Sequence, residues 1–170
     1  MIWLNFIRRL LDWWRIRENP VVHGIVEIKL IDARTGELVY YERGKNKVVK
    51  QGREYALKNI IKYTTTYNGA YLCLSSNSTT PADTETSVPN LITPTKTATK
   101  TYGTDGSGEP YGEWSASWGT NEANTTIYSV AIAENSDGTG EWCRYVLSSP
   151  INKTNTQTLQ VTYRWQLSSS

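Results

Sequence analysis

The chain has 170 residues, 20% of them charged and 38% hydrophobic, with a formal net charge of +2. That length suits one domain with a core of its own, and the composition excludes a disordered chain. Arg8, Arg9, Arg15 and Arg17 face only Asp12 and Glu18 within residues 1–20, so this segment holds the whole excess charge. The body is neutral, which leaves a nucleic-acid-binding role without an electrostatic footprint.

Residues 1–20, MIWLNFIRRLLDWWRIRENP, form the first predicted element. At about 100° per residue, Ile2, Trp3, Phe6, Ile7, Leu10, Leu11, Trp13 and Trp14 gather on one broad helical face, with Arg8, Arg9, Asp12 and Arg15 opposite. Pro20 ends the pattern. Arg8, Arg9 and Asp12 interrupt any run long enough to span a bilayer, and no small-residue cleavage site follows, so the protein is expected to be soluble and not secreted. The apolar arc is wider than a helix on a small domain needs. It suits the helix's own domain, a groove on a protein partner or a membrane surface, and the protein partner is favoured. Trp3, Phe6, Ile7, Leu10, Trp13 and Trp14 are the expected contact residues.

Residues 21–170 read as a second unit built from short strands. VVHGIVEIKLID alternates, placing Val22, Val26, Ile28 and Leu30 on one face. Residues 33–36 form a turn and ELVYYE returns as a hairpin strand, while residues 45–50 make a separate short apolar segment around Val48 and Val49. REYALKNIIKY repeats Leu57, Ile60 and Ile61 at helical spacing and is the one internal helix expected. AYLCLS is a strand, followed by a surface loop from Ser75 to Pro89 in which Pro81 and Pro89 forbid central pairing. LITPTKTATKTY, YGEWSASWG and TIYSVAIAE are three more strands. GEWCRYVLS and TLQVTYRWQL close the chain, joined at residues 150–153. About eight strands at this spacing predict a mainly β protein with a sandwich or jelly-roll-like body.

Chemistry-bearing residues are sparse. His23 is the only histidine and has no nucleophile motif beside it, and no phosphate-binding, zinc-protease or dinucleotide signature occurs. Glu109, Glu113, Glu134 and Glu141 are the carboxylates that a fold could bring together for glycoside hydrolysis. The turns at 105–109 and 135–140 resemble calcium loops in composition, but hairpin turns prefer the same residues. Cys73 and Cys143 sit in apolar strands without metal-ligand spacing and read as buried free thiols. No catalytic residue, metal or cofactor is therefore assigned. Trp114, Trp118 and Trp142 are the aromatics available for a ligand or an interface, and Trp114 and Trp118 share strand parity.

Three stretches resemble structural proteins of tailed-bacteriophage virions. GIVEIKLIDARTGELVYYERGKNKVVKQGREYALKNII resembles an opening strand, Asp-x-x-Thr-Gly turn, Asn-x-Val-Val strand and Gly-led helix; AYLCLSSNSTTPADTETSVPNL is similar to a strand and its Ser/Thr/Pro loop. YSVAIAENSDGTGEWCRYVLSSPINKTNTQTLQVTYRWQL looks like the closing hairpins of tail-fibre and tail-adaptor proteins. The resemblance implies a non-enzymatic, homo-oligomeric component of a virion, used as capsid decoration, head or tail adaptor, or fibre base, with capsid, portal or tail subunits as partners. A carbohydrate- or receptor-binding module of a virion, using Trp114, Trp118 and the 75–89 loop, is the alternative.

Overall fold

The computed structural model describes residues 21–60, 67–106, 108 and 110–168. The expected N-terminal helix, with Trp3, Phe6, Ile7, Leu10, Trp13 and Trp14, lies outside them. The elements run β1 (Val21–Asp32), β2 (Leu38–Val48), α1 (Lys50–Ile60), β3 (Tyr71–Ser75), β4 (Leu91–Thr97), β5 (Thr99–Thr104), β6 (Pro110–Trp118), β7 (Thr126–Ala133), β8 (Glu141–Asn152) and β9 (Gln157–Ser168). The body is mainly β, as expected.

All nine strands belong to one sheet in the order β4-β3-β7-β8-β2-β1-β9-β6-β5. Its two edge strands, β4 and β5, are separated in sequence by Ala98 alone, so the sheet must curl until its edges approach. Ala98 is buried at this corner and its N–H donates to the Ala70 carbonyl at 2.8 Å. Trp118 Nε1 donates across the closure to the Pro94 carbonyl at 2.7 Å, and Lys96 pairs with Glu122 at 2.5 Å. The Thr-rich run expected as one strand is therefore two strands on opposite edges. Nothing in its alternating pattern marks Ala98 as a corner, because both halves carry the same period of two.

β2 also differs from expectation. Residues 38–46 pair with β1, then Lys47 and Val48 cross to pair with Arg144 and Cys143 of β8, so the separate third segment is the end of this strand. Gly44 makes the crossing possible: a Cβ there would sit 2.2 Å from the Tyr145 hydroxyl. Where β2 and β8 diverge, side chains bridge the gap. The Glu42 carboxylate accepts from Tyr145 Oη at 2.6 Å, from the Ser148 N–H at 2.9 Å and from the Tyr40 hydroxyl. Burial pushes the Glu42 carboxyl upward, but these donors outweigh it and leave its pKa below the ordinary value. β8 continues through Pro150 to Asn152, and Pro150 sits in a stretch where the β7 ladder is interrupted, as its missing N–H requires.

The interior is filled by the inward residues of both halves. Val26, Ile28 and Leu30 of β1 are buried, as their alternation predicts, beside Leu159, Val161 and Tyr163 of β9. They meet Leu72 and Leu74 of β3 and Ile127, Val130 and Ile132 of β7. Tyr163 spans the core and donates its hydroxyl to the Val130 carbonyl at 2.5 Å, satisfying a polar atom that would otherwise be costly to bury.

Two coverings complete the body. Helix α1 packs on β8, with Gly52 so close that a Cβ would meet the Trp142 carbonyl at 2.1 Å. Tyr55 carries the packing, whereas Leu57, expected on the buried face, is 58% exposed. The segment 76–90 is a largely exposed loop, as expected, and it is held to the sheet. It lies on the outer face of β3 and β7, where Val88 covers Cys73, Ala131 and Ala133. Lys47 Nζ donates to the Pro81 carbonyl at 2.7 Å, and Arg53 grips Asp83 through two bonds of 2.8 and 2.9 Å.

Lys153 is a buried cation that the sequence pattern does not reveal. Its ammonium donates to the carbonyls of Gly119 and Glu122, both at 2.8 Å, and to Asn124 Oδ1 at 2.9 Å, tying the 119–124 loop to the β8–β9 connection. Burial lowers its pKa, and the Glu122 charge partly restores it. Lys153→Met leaves these acceptors unmatched and is expected to cost about 2–3 kcal/mol, measured by chemical denaturation.

Candidate functional site

The end of the curled sheet at which β1 begins is lined with aromatic side chains. Cross-strand register sets one row there: Tyr102 of β5 opposes Gly112 of β6, Gly112 opposes Trp165 of β9, Trp165 opposes Gly24 of β1, and Gly24 opposes Asn46 of β2. Directly opposed residues share a face. Trp165 and Gly24 have the parity of the core residues Tyr163 and Val26, so the row points to the inner side of the sheet.

The two glycines do different things. Above Gly24 the space is taken by the Asn46 side chain, since a Cβ would sit 1.5 Å from Asn46 Oδ1. At Gly112 a Cβ would meet the Trp114 ring at 3.4 Å, so the indole packs over this glycine. Tyr102 is 79% exposed although it stands on the inward-facing side.

From Trp114 the rings continue without interruption. Trp114 and Trp165 are 5.6 Å apart, Trp165 and Trp142 5.3 Å, Trp142 and Tyr55 5.6 Å, all tilted, and Tyr55 stacks on Tyr67 at 4.1 Å. Such pairs add about 0.5–1.5 kcal/mol each beyond area burial. Lys58 stands 5.5 Å over the Tyr67 ring. Trp114 Nε1 donates to the Asn68 carbonyl at 3.1 Å, and Trp142 Nε1 to Glu134 Oε2 at 3.2 Å. The same Glu134 oxygen accepts the Gly69 N–H at 2.9 Å, which anchors the chain between helix and β3. Trp165 Nε1 and the Asn46 amide are buried without a hydrogen-bond partner, beside the Cys143 thiol.

Of the aromatics singled out in the sequence, Trp118 is fully buried and Trp142 nearly so, which makes both core residues; Trp114 is half-buried at the rim. Trp114 and Trp118 do share a face, and that face is the interior. Tyr102, Trp165, Tyr55 and Tyr67 join this row only through the tertiary structure. Their only sequence signal is the parity of Trp165 with Tyr163, because the row depends on register between strands far apart in the chain.

The carboxylates named as possible pairs are held separately. Glu113 pairs with Arg164 at 2.9 Å on the outer face, where the guanidinium also stacks 3.9 Å over the Tyr111 ring. Glu134 serves the indole and amide donors just described, and Glu109 lies outside the described residues. Glu141 is buried with Arg144, whose Nε is 3.4 Å from Oε1, while Arg144 also pairs with Glu85. Asp137 in the 135–140 turn is engaged by the Thr139 amide at 2.9 Å and hydroxyl at 2.6 Å. No group of three metal-ligating side chains occurs among the described residues. His23 falls at the start of β1, opposite Gln166. Cys73 and Cys143 are free and buried, and burial pushes both thiols up to about 12. Comparison with protein families, curated proteins and solved structures finds no match to this chain.

The mouth offers aromatic faces, which suit contact with an apolar or aromatic group. Two measurements check the surrounding electrostatics. Burial raises the Glu141 carboxyl to about 7, with Arg144 opposing and Glu85 reinforcing the rise. Its stabilising contribution is thus full below about pH 4.5 and lost as pH climbs through about 7. Glu141→Gln is expected to abolish the fall in stability that the wild-type protein shows as pH rises from about 4.5 through about 7, as read by urea unfolding across that range. Both thiols should resist a thiol-specific chromogenic reagent in the native protein and react once it is denatured.

Proposed function

We propose that this chain is a non-enzymatic structural protein of a virion that oligomerises and docks by residues 1–20 onto a neighbouring subunit, as capsid decoration, head or tail adaptor, or fibre base. The observation that carries the reading is Tyr102, 79% exposed on the inner side of the aromatic rim, at the end of the sheet where the N-terminal segment attaches. An apolar segment and an apolar rim at one end of a domain are what an assembly contact needs.

In this reading the sheet works as a jelly-roll-like sandwich. The β5-β6-β9-β1-β2 half packs on β4-β3-β7-β8 through Tyr163, and β2 passes from one half to the other. The neutral body argues against nucleic acid as a partner. A protein neighbour suits Trp3, Phe6, Leu10 and Trp14 better than a lipid surface, because aromatic rings of a partner can meet them face to edge. The glycan-binding alternative loses one of its two tryptophans to the core, since Trp118 is fully buried and spends its indole N–H on the Pro94 carbonyl.

Replacing Trp3, Phe6 and Leu10 together by Ser in the full chain tests the reading. Each apolar side chain is worth about 1.5–3 kcal/mol on burial, so recovery of the tagged protein with purified particles is expected to drop by about tenfold or more, with unchanged circular dichroism. Undiminished incorporation would overturn it.

A further inference from the structure

We infer that residues 81–88 form a strap over the outer face of the sheet with a buried carboxyl as its latch: the strap stays closed while Glu141 is protonated and loosens when Glu141 ionises, baring Cys73. The strap crosses the sheet where β8 begins. The Thr86 carbonyl accepts the N–H groups of Gly140 at 2.8 Å and of Glu141 at 3.2 Å, the Val88 N–H donates to the Gly138 carbonyl at 3.0 Å, and Ser87 bridges to Thr139. Val88 lies on Cys73, Ala131 and Ala133. Two ion pairs add to these bonds. Arg53 and Asp83 are half-exposed, and so wet a pair contributes little. The pair of Arg144 with Glu85 differs, because the Arg144 side chain is fully buried.

Arg144 has a second claimant. Its Nε stands 3.4 Å from Glu141 Oε1, and the Glu141 side chain is fully buried as well. One guanidinium therefore lies between a carboxyl sealed against the sheet and a carboxylate on the strap. Neither Glu141 oxygen has a hydrogen-bond donor, and Arg144 Nε and Nη1 have no acceptor, so an ionised Glu141 is poorly solvated where it stands. The surrounding groups do not compensate. Cys73 of β3, Cys143 of β8 and Tyr163 of β9 are kept neutral by burial, and Lys47 of β2, opposite Arg144, is turned to the Pro81 carbonyl. Lys50 and Glu54 of α1 and Asp83 of the strap line an open cavity of about 230 Å3 that also reaches Glu85. Solvent thus already stands at the edge of the strap, and lifting residues 83–88 extends its access to Glu141.

The sign of the coupling follows from hydration. Burial pushes the Glu141 carboxyl up to about 7, with Arg144 pulling it down and Glu85 adding to the rise. A group that ionises less readily in the closed form than in the open one favours opening as it ionises. With about 7 in the closed form and the ordinary 4.5 once hydrated, the ratio of open to closed strap is expected to rise about tenfold from pH 6 to pH 8 and to be flat below about pH 4.5. An ionised Glu141 also repels Glu85 and competes with it for Arg144, so the strap loses its buried fastening as the sheet gains a charge.

The two cysteines of the full chain report on the strap. Cys73 lies beneath it, whereas Cys143 belongs to the interior and is reached only by unfolding. Labelling with iodoacetamide over hours, each rate divided by that of the denatured chain at the same pH, removes the reagent's own pH dependence. Cys73 is expected to label at least tenfold faster than Cys143, at a normalised rate that rises about tenfold from pH 6 to pH 8. Glu141→Gln, which cannot ionise, is expected to abolish the rise, and Glu85→Gln, which frees the strap from Arg144, to speed Cys73 labelling already at pH 6. Equal labelling of the two cysteines would show that only unfolding uncovers Cys73 and would overturn the strap. A Cys73 rate that ignores pH, or that rises as steeply in Glu141→Gln, would overturn Glu141 as its latch.

Discussion

One residue joins the two edges of the sheet. β4 and β5 lie at opposite ends of a nine-strand order, and the chain steps between them through Ala98, so the sheet has to curl back on itself. A flat sheet of these strands would require a connection long enough to cross seven intervening strands, each about 4.8 Å from the next. Curling also answers the hazard of exposed strand edges, since it brings the two most exposed ladders near each other and lets Trp118 and Lys96 fasten them.

The rest of the body follows from the narrow interior that results. Tyr163 is long enough to cross it, and its hydroxyl finds an acceptor on the far side. Glycine is required wherever the curled sheet brings a ring or a carbonyl against backbone, as at Gly44 beneath Tyr145 and Gly52 against Trp142. At the gap between β2 and β8, backbone pairing gives way to side chains, and Glu42 gathers two phenols and one amide in its place. Each of these devices costs free energy in isolation and is tolerated because closure buries the apolar core in return.

The aromatic mouth lies at one end of the curled sheet. Its row of Tyr102, Gly112, Trp165, Gly24 and Asn46 comes from five strands that are separated by up to about 140 residues in the chain, and each strand contributes one position. Parity along a single strand can place Trp114 and Trp118 on one side, and it did so correctly. It cannot tell that the side is the interior, nor that Trp118 is sealed while Tyr102, on an edge strand rich in threonine, stays exposed. The buried charges were equally hidden. Lys153 and Arg144 occupy polar and strand-like sequence that is ordinarily solvated, and only the loops folded over them reveal their burial.

Local physics, readable along the chain, determined the mainly β character, the inward face of β1, the presence of a helix over residues 53–60, the turn after Asp32 and the burial of both cysteines, because period, turn residues and apolar runs act over a few positions. Tertiary structure alone decided that one Thr-rich run is two edge strands, that β2 is continuous through Gly44, that the 76–90 segment covers the sheet, and that Leu57 faces outward. Those outcomes depend on which strands pair and in what register, and pairing energy is shared between residues too far apart in sequence for any local pattern to record it.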